Sequence, residues 1–138
     1  MRSLTKKGNY SLNQVARYAG VKNFDKFHNA GYKGLYNGET ADDIAKRKGL
    51  RYREEILDNM GSAELAANLF RITQTDEKLK NDKIKGENNA CDTHNQIGKN
   101  VRKFMLENGG VAPEQLPTPS KSLKELENKK NELIENEI

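Results

Sequence analysis

Cys91 and His94 stand three residues apart, a spacing that places a thiol and an imidazole on one face of a helix. Such a pair could ligate a metal or serve as a nucleophile with its base. A structural zinc site needs four ligands of this kind, and the sequence adds only His28 and no second cysteine. A Cys–His dyad would also need a third group to orient the imidazole and donors for an oxyanion, and no segment supplies them. Asp42 and Asp43 open a helix, where negative charge favours the helix dipole without further purpose. Glu54 and Glu55 read as a solvated helix face. No G-x-x-x-x-G-K-[ST] loop is present, and Gly31, Gly34 and Gly38 follow no strand. The residues therefore point to binding rather than catalysis, with no cofactor and no metal.

The binding candidates are cationic. Lys22, Lys26 and Lys33 are interleaved with Phe24, Phe27, Tyr32 and Tyr36, a pattern that can hold phosphates and stack on unpaired bases. Both phenylalanines are expected in the core, and one of the two tyrosines on the surface. A second cluster, Lys46, Arg47 and Lys48 with Arg51 and Arg53, surrounds a helix end, where cations also complement the dipole. A polar stripe of Asn68, Arg71, Thr75 and Lys78 is the third candidate. Its favoured use is to tie two helices together inside the fold. Charge is distributed to match: residues 1–53 carry a net +8 and residues 54–138 a net −4. A basic front half suits nucleic acid phosphates or an acidic protein surface.

Helices must position these groups, since no run of alternating β-branched residues marks a strand. Ser11 is read as the N-cap of a helix at 12–19 that ends at Gly20, and Asn23 as the cap of a helix at 24–30 closed by Gly31. The three glycines of residues 31–38 suggest a tight loop or a single short turn. Thr40 and Asp43 form a capping box before a helix at 44–48 stopped by Gly49. A short helix is expected at 51–59. Ser62 should cap the strongest helix, at 63–82, with Leu65, Leu69, Ile72 and Leu79 on its buried face and Ala66, Phe70 and Thr73 beside them. A second long helix at 88–108 lines up Ala90, His94, Ile97, Val101, Phe104 and Met105 on one side. Three prolines between 113 and 119 then enforce an extended linker. Beyond them lies a charged helix whose apolar positions are Leu123, Leu126, Leu133, Ile134 and Ile138. The expected architecture is all-α: a compact orthogonal bundle of several short and two longer helices over residues 1–110, a Pro-rich linker at 111–120, and a charged amphipathic helix at 121–138 that could join two copies.

The chain has 138 residues, enough for one domain that buries roughly two-thirds of its unfolded surface. Its single cysteine excludes an intramolecular disulfide. The first ten residues lack the apolar stretch of a signal peptide, and no window approaches a membrane span. A cytoplasmic location follows as the expectation.

Two segments, GYKGLY at 31–36 and ILDNMGSAELAANLFRITQTDEK at 56–78, give the sequence a resemblance to the C-terminal region of the bacterial DNA-damage-inducible protein D family. Ile84-Lys85-Gly86, Thr93-His94, Ile97-Gly98-Lys99, Val101-Arg102, Gly109-Gly110, Pro113-Glu114 and residues 116–119 extend the match in order, over roughly residues 20–128. The resemblance implies expression under the DNA-damage (SOS) response and modulation of a RecA-type recombinase filament, without a recognised catalytic activity. Longer members carry an N-terminal domain of the BRO type, presumed to bind DNA, and the chain is expected to lack it. The alternative implied is an interaction or dimerisation domain left from a phage-type regulator.

Overall fold

The computed structural model describes residues 2–120 together with positions 128 and 130. The charged helix expected at 121–138 lies outside the described residues. Among the described residues there are five α-helices and no strand: α1 (Arg2–Ala19), α2 (Phe24–Leu35), α3 (Ala41–Arg47), α4 (Ser62–Asn81) and α5 (Glu87–Asn108), with 3-10 turns at Arg53–Glu55 and Pro113–Gln115. The expected all-helical bundle is therefore present, but with three long helices instead of two.

Helix α1 begins nine residues before the expected cap. Gly8, Asn9 and Ser11 are weak helix formers, and what holds them helical is packing: Thr5, Leu12, Ala16 and Ala19 are buried along one face. A Cβ at Gly8 would touch Ile72 and Leu69 of α4 at 3.3 and 3.5 Å. Ser11 is not a cap. Its hydroxyl donates to Asp76 Oδ2 on α4 at 2.6 Å.

Helix α2 starts as expected, with the Asn23 side chain accepting from the Lys26 N–H at 3.1 Å. It does not stop at Gly31, and residues 31–35 are helical rather than a loop. The glycines serve a helix crossing. A Cβ on Gly31 would land inside the His94 ring, and one on Gly34 would run into the Asn95 carbonyl. From the facing side, a Cβ on Gly98 would sit 2.6 Å from the Gly31 carbonyl oxygen and 2.9 Å from the Leu35 nitrogen. Three side-chain-free positions thus let the backbones of α2 and α5 meet directly.

The capping box on α3 is present: Asp43 N–H donates to Thr40 Oγ1 at 3.2 Å, and the Thr40 N–H to Asp43 Oδ2 at 2.9 Å. The helix expected at 51–59 is reduced to a 3-10 turn followed by bends. Gly61, not Ser62, holds the N-cap position of α4. The Pro-rich segment lies against the body. Ala112 and Pro113 are buried, and Glu114 Oε2 accepts from Arg102 Nη1 at 2.7 Å while that nitrogen also donates to the Leu35 carbonyl at 3.2 Å.

Two apolar clusters form the core. One joins Leu12, Ala16, Val21, Phe27, Ile72, Leu79, Ala90 and Cys91 from α1, α2, α4 and α5. The other gathers Leu35, Tyr36, Ile44, Ile56, Met60, Leu65 and Val101. No helix among the described residues is long and apolar enough to cross a membrane.

Candidate functional site

Helix α4 buries Leu65, Ile72 and Leu79 as expected, and with them most of the polar stripe. Glu64, Asn68, Arg71 and Thr75 are almost wholly buried, while Phe70 is 51% exposed and Ala66 and Thr73 also lie on the surface. Hydropathy places apolar side chains inside and the polar stripe outside. Here Asn68, Arg71 and Thr75 go inside, as the favoured use of the stripe expected. Asn68 and Arg71 are bonded across to Tyr36 and His94 and Thr75 to the Arg71 carbonyl, while Lys78 stays exposed beside Asp82.

The Arg71 guanidinium is the centre of this network. Its Nη2 and Nε donate to Asn68 Oδ1 at 3.0 and 3.3 Å, and Nη1 lies 2.7 Å from His94 Nε2. The Phe27 carbonyl, 2.9 Å from His94 Nδ1, can only accept. Nδ1 therefore carries the proton, leaving Nε2 as the acceptor for Arg71. Burial, and then the Arg71 charge, hold His94 well below the usual histidine pKa, so the ring is neutral. Arg71 also lies over the Tyr32 ring, 4.7 Å from its centroid. The network touches both core clusters, through Tyr32 and through the Phe27 ring, whose centroid is 4.5 Å from that of His94.

Glu64 extends the network. It accepts from the Tyr36 hydroxyl, which in turn accepts from Asn68 Nδ2 at 3.0 Å. Burial, with the Glu64 charge beside it, pushes the Tyr36 phenol well above its ordinary pKa. Glu64 Oε1 pairs with Lys48 Nζ at 2.8 Å, and both side chains are fully enclosed. Lys48 uses its remaining donors on the Asn59 carbonyl at 3.2 Å and on Thr118 Oγ1 at 3.1 Å. One ammonium thus joins α3, α4 and the Pro-rich segment.

The sequence-predicted site residues separate accordingly. Arg71, Tyr32 and Tyr36 are inside, where they hold helices together; neither tyrosine is the exposed one expected, because both reach buried polar partners. Lys48 is committed to Glu64. Phe27 is buried and Phe24 half-buried. Of the exposed cations, Lys26 lies 3.0 Å from Asn88 Oδ1 and 3.9 Å from Glu87. Arg47 pairs with Glu39 at 3.0 Å, and the half-buried Arg53 with Asp25 at 2.9 Å. Arg51 lies over Tyr52. Lys22, Lys33 and Lys46 are exposed on α2, α3 and the turn before α2. The basic residues are therefore spread over several elements, and many of them already face a carboxylate.

Cys91 is buried, and burial pushes its thiol up, away from thiolate chemistry. His94 is occupied on both nitrogens. Among the described residues no three His, Cys, Asp or Glu side chains gather as a metal-ligand group.

Some exposed groups escaped the sequence reading. Tyr10, Tyr18 and Tyr52 are the outward-facing tyrosines, with 70, 83 and 53% exposure. An apolar groove of about 480 Å3 runs between α4 and α5, lined by Ala63, Phe70, Val101, Phe104, Met105 and Leu116 among others. Phe70 and Phe104 were expected with the apolar sides of their helices, but both face outward along this groove.

The network is built mainly from residues of the ELAANLFR and GYKGLY segments. The sequence profile of the DinD C-terminal domain matches residues 1–126. DNA damage-inducible protein D of Escherichia coli (strain K12) is 49% identical over 131 residues, which cover 93% of this chain and 48% of the relative. The chain thus spans about half the length of that relative. No solved structure matches it. A profile match over most of the sequence, with identity this high across the same residues, places the chain in the DinD C-terminal domain family.

Proposed function

We propose that this chain is a non-enzymatic component of the bacterial DNA-damage (SOS) response, acting in the cytoplasm, which modulates recombination by binding single-stranded DNA, a RecA-type recombinase filament, or both. The observation that carries the reading is the similarity to a protein named for its induction by DNA damage, over nearly the whole of this chain. The chemistry of the residues supports binding over catalysis. The buried polar groups are spent on one another, with Arg71, His94, Glu64 and Lys48 all hydrogen-bonded within the core. The exposed groups include cations and tyrosines, which suit a nucleic acid.

The test is fluorescence anisotropy of labelled single-stranded DNA with this protein, at low and moderate salt, with and without recombinase. Phosphate contacts lose affinity steeply as salt rises. Salt-sensitive binding to bare DNA supports direct contact, and binding only to coated DNA supports filament recognition. Absence of binding in both arms would overturn the reading.

The apolar groove between α4 and α5 favours a second reading, a protein-interaction domain. Half-exposed Phe70 and Phe104 on its rim make a surface whose affinity would change little with salt. In this reading residues 1–110 are the helical body, 111–120 the connection, and 121–138 a charged segment that joins two copies.

A further inference from the structure

The loop between α4 and α5 carries Lys83 and Lys85, and it folds back against the C-terminal end of α1. Backbone bonds fix it there: Gly86 N–H donates to the Ala19 carbonyl at 2.7 Å, and Ile84 N–H to the Leu79 carbonyl at 3.1 Å. Lys83 adopts a left-handed backbone, φ 52°, and Gly86 follows with φ 95°. The result is a groove of about 640 Å3 whose floor is apolar, with Val15, Leu79 and Ile84, and whose rim is Gln14, Tyr18 and the lysines. Among the described residues no carboxylate lines it. The nearby Asp76 and Asp82 face Lys80 and Lys78, each at 2.7 Å.

Tyr18 stands at 83% exposure on this rim. Lys85 Nζ lies 4.0 Å from its ring centroid, so the ammonium covers one face of the ring and leaves the other free. From this arrangement we propose that the groove is a single-strand nucleic-acid subsite, in which Tyr18 stacks on one base while Lys83 and Lys85 hold the flanking phosphates. The inference rests on the DNA-binding arm of the proposed function and names its surface.

Single strands fit better than the other acidic partners. An acidic peptide would use the lysines but has no need of a ring beside an apolar floor. A duplex keeps its base faces stacked on one another and offers only phosphates. An unpaired base brings a π-face for Tyr18 and an adjacent charge for the lysines, and stacking tolerates any base. The Gly86 N–H bond to the Ala19 carbonyl places Lys85 beside Tyr18 before the ligand arrives.

The experiment is anisotropy of labelled oligothymidine with the full chain, beside an abasic oligomer of equal length and with unlabelled duplex as competitor. Tyr18→Ala should weaken oligothymidine binding about tenfold, Tyr18→Phe should keep it, and both should leave thermal unfolding unchanged. Lys83→Glu with Lys85→Glu should weaken binding further and flatten its salt dependence. Tyr52→Ala, an exposed tyrosine elsewhere, should bind as wild type. The abasic oligomer should bind wild type as weakly as oligothymidine binds the Tyr18→Ala protein. Wild-type binding that none of the Tyr18, Lys83 or Lys85 changes alters would place the subsite elsewhere and leave the proposed function standing. Duplex competing as well as single strand would overturn the stacking role. No binding by wild type would overturn both the subsite and the DNA-binding arm of the reading.

Discussion

Arg71 and His94 face each other at 2.7 Å in the core, and the histidine is the acceptor. No carboxylate bonds the guanidinium directly: its other partners are Asn68 and the Tyr32 ring. The Glu64 charge that could balance it is taken by Lys48. A buried arginine held by neutral groups is sensitive to any change that removes its acceptors or leaves them empty.

Arg71→Met should accordingly destabilise the fold by about 3 kcal/mol, since it strands the Asn68 carbonyl and His94 Nε2 without donors. Arg71→Lys should recover little, because an ammonium cannot reproduce the planar fork that reaches Asn68 and His94 together. Urea unfolding of both variants checks this, and a Lys variant as stable as wild type would sink it.

The pH dependence follows from the two histidines. Burial, then the Arg71 charge, lower His28 to about 4, and the same causes hold His94 well below its ordinary value. The folded protein therefore resists protons that the unfolded chain takes up below about 6.5. Stability from these groups is fully present above about pH 6.5 and is lost as pH falls toward the folded values. Each histidine should contribute about 1.4 kcal/mol of loss per pH unit in that window. Denaturation midpoints between pH 7 and 5 measure the slope, and His28→Gln should remove one histidine's share of it. A flat profile over that range would refute the neutral His94.

At the helix crossing, Gly31→Ala should cost about 2 kcal/mol or more, because the new methyl group meets the His94 ring and the α5 backbone prevents retreat. Gly61→Ala is the contrast. Its Cβ would meet nothing closer than the Pro117 oxygen at 3.9 Å, so it should be nearly neutral. Thermal unfolding of the pair decides whether close approach is the reason for the glycine.

Lys48→Met should leave Glu64 buried with the Tyr36 hydroxyl as its remaining side-chain partner, at a cost of about 3 kcal/mol. It also removes the bond to Thr118. Hydrogen exchange should then show faster opening at residues 115–118 than in wild type. Unchanged exchange there would mean that the Arg102–Glu114 pair alone holds the segment.

Phe70→Ser and Phe104→Ser lie on the half-exposed rim of the α4–α5 groove. Together they should change stability by no more than about 1 kcal/mol while weakening any self-association that seats on the groove. Analytical ultracentrifugation reads the second effect. Association that survives both changes would remove the groove from the protein-interaction reading.

Much of the helical order was legible from local chemistry. Asn23 and the Thr40–Asp43 pair carry their capping information within four residues, so no tertiary knowledge is needed to find them. The early start of α1 was not legible, since Gly8 and Ser11 are helical only because Leu69, Ile72 and Asp76 wait opposite. The same holds for Gly31 and Gly34, which read as loop residues until α5 is laid across them. Tyr32 and Tyr36 looked like ligand-binding groups for a related reason, while Arg71 could be read either way, with the internal use favoured. A buried network and a binding surface draw on the same residue types, and only the position of Asn68, Glu64 and His94 tells them apart. Tyr18 and Lys85 lie far apart along the chain, which is why their pairing escaped a linear reading.

The glycine contact between α2 and α5 also bears on how the chain reaches its fold. His94 meets the Phe27 carbonyl across 67 residues, so the tightest packing in the molecule is also among its most distant in sequence. Closing so long a loop costs entropy before any packing is gained. The α4–α5 hairpin, joined by a short turn, carries no such delay and can assemble on its own timescale. Both α1 and α2 must be brought back over some 65 residues to that hairpin, so a nascent chain cannot complete its core until α5 has been synthesised.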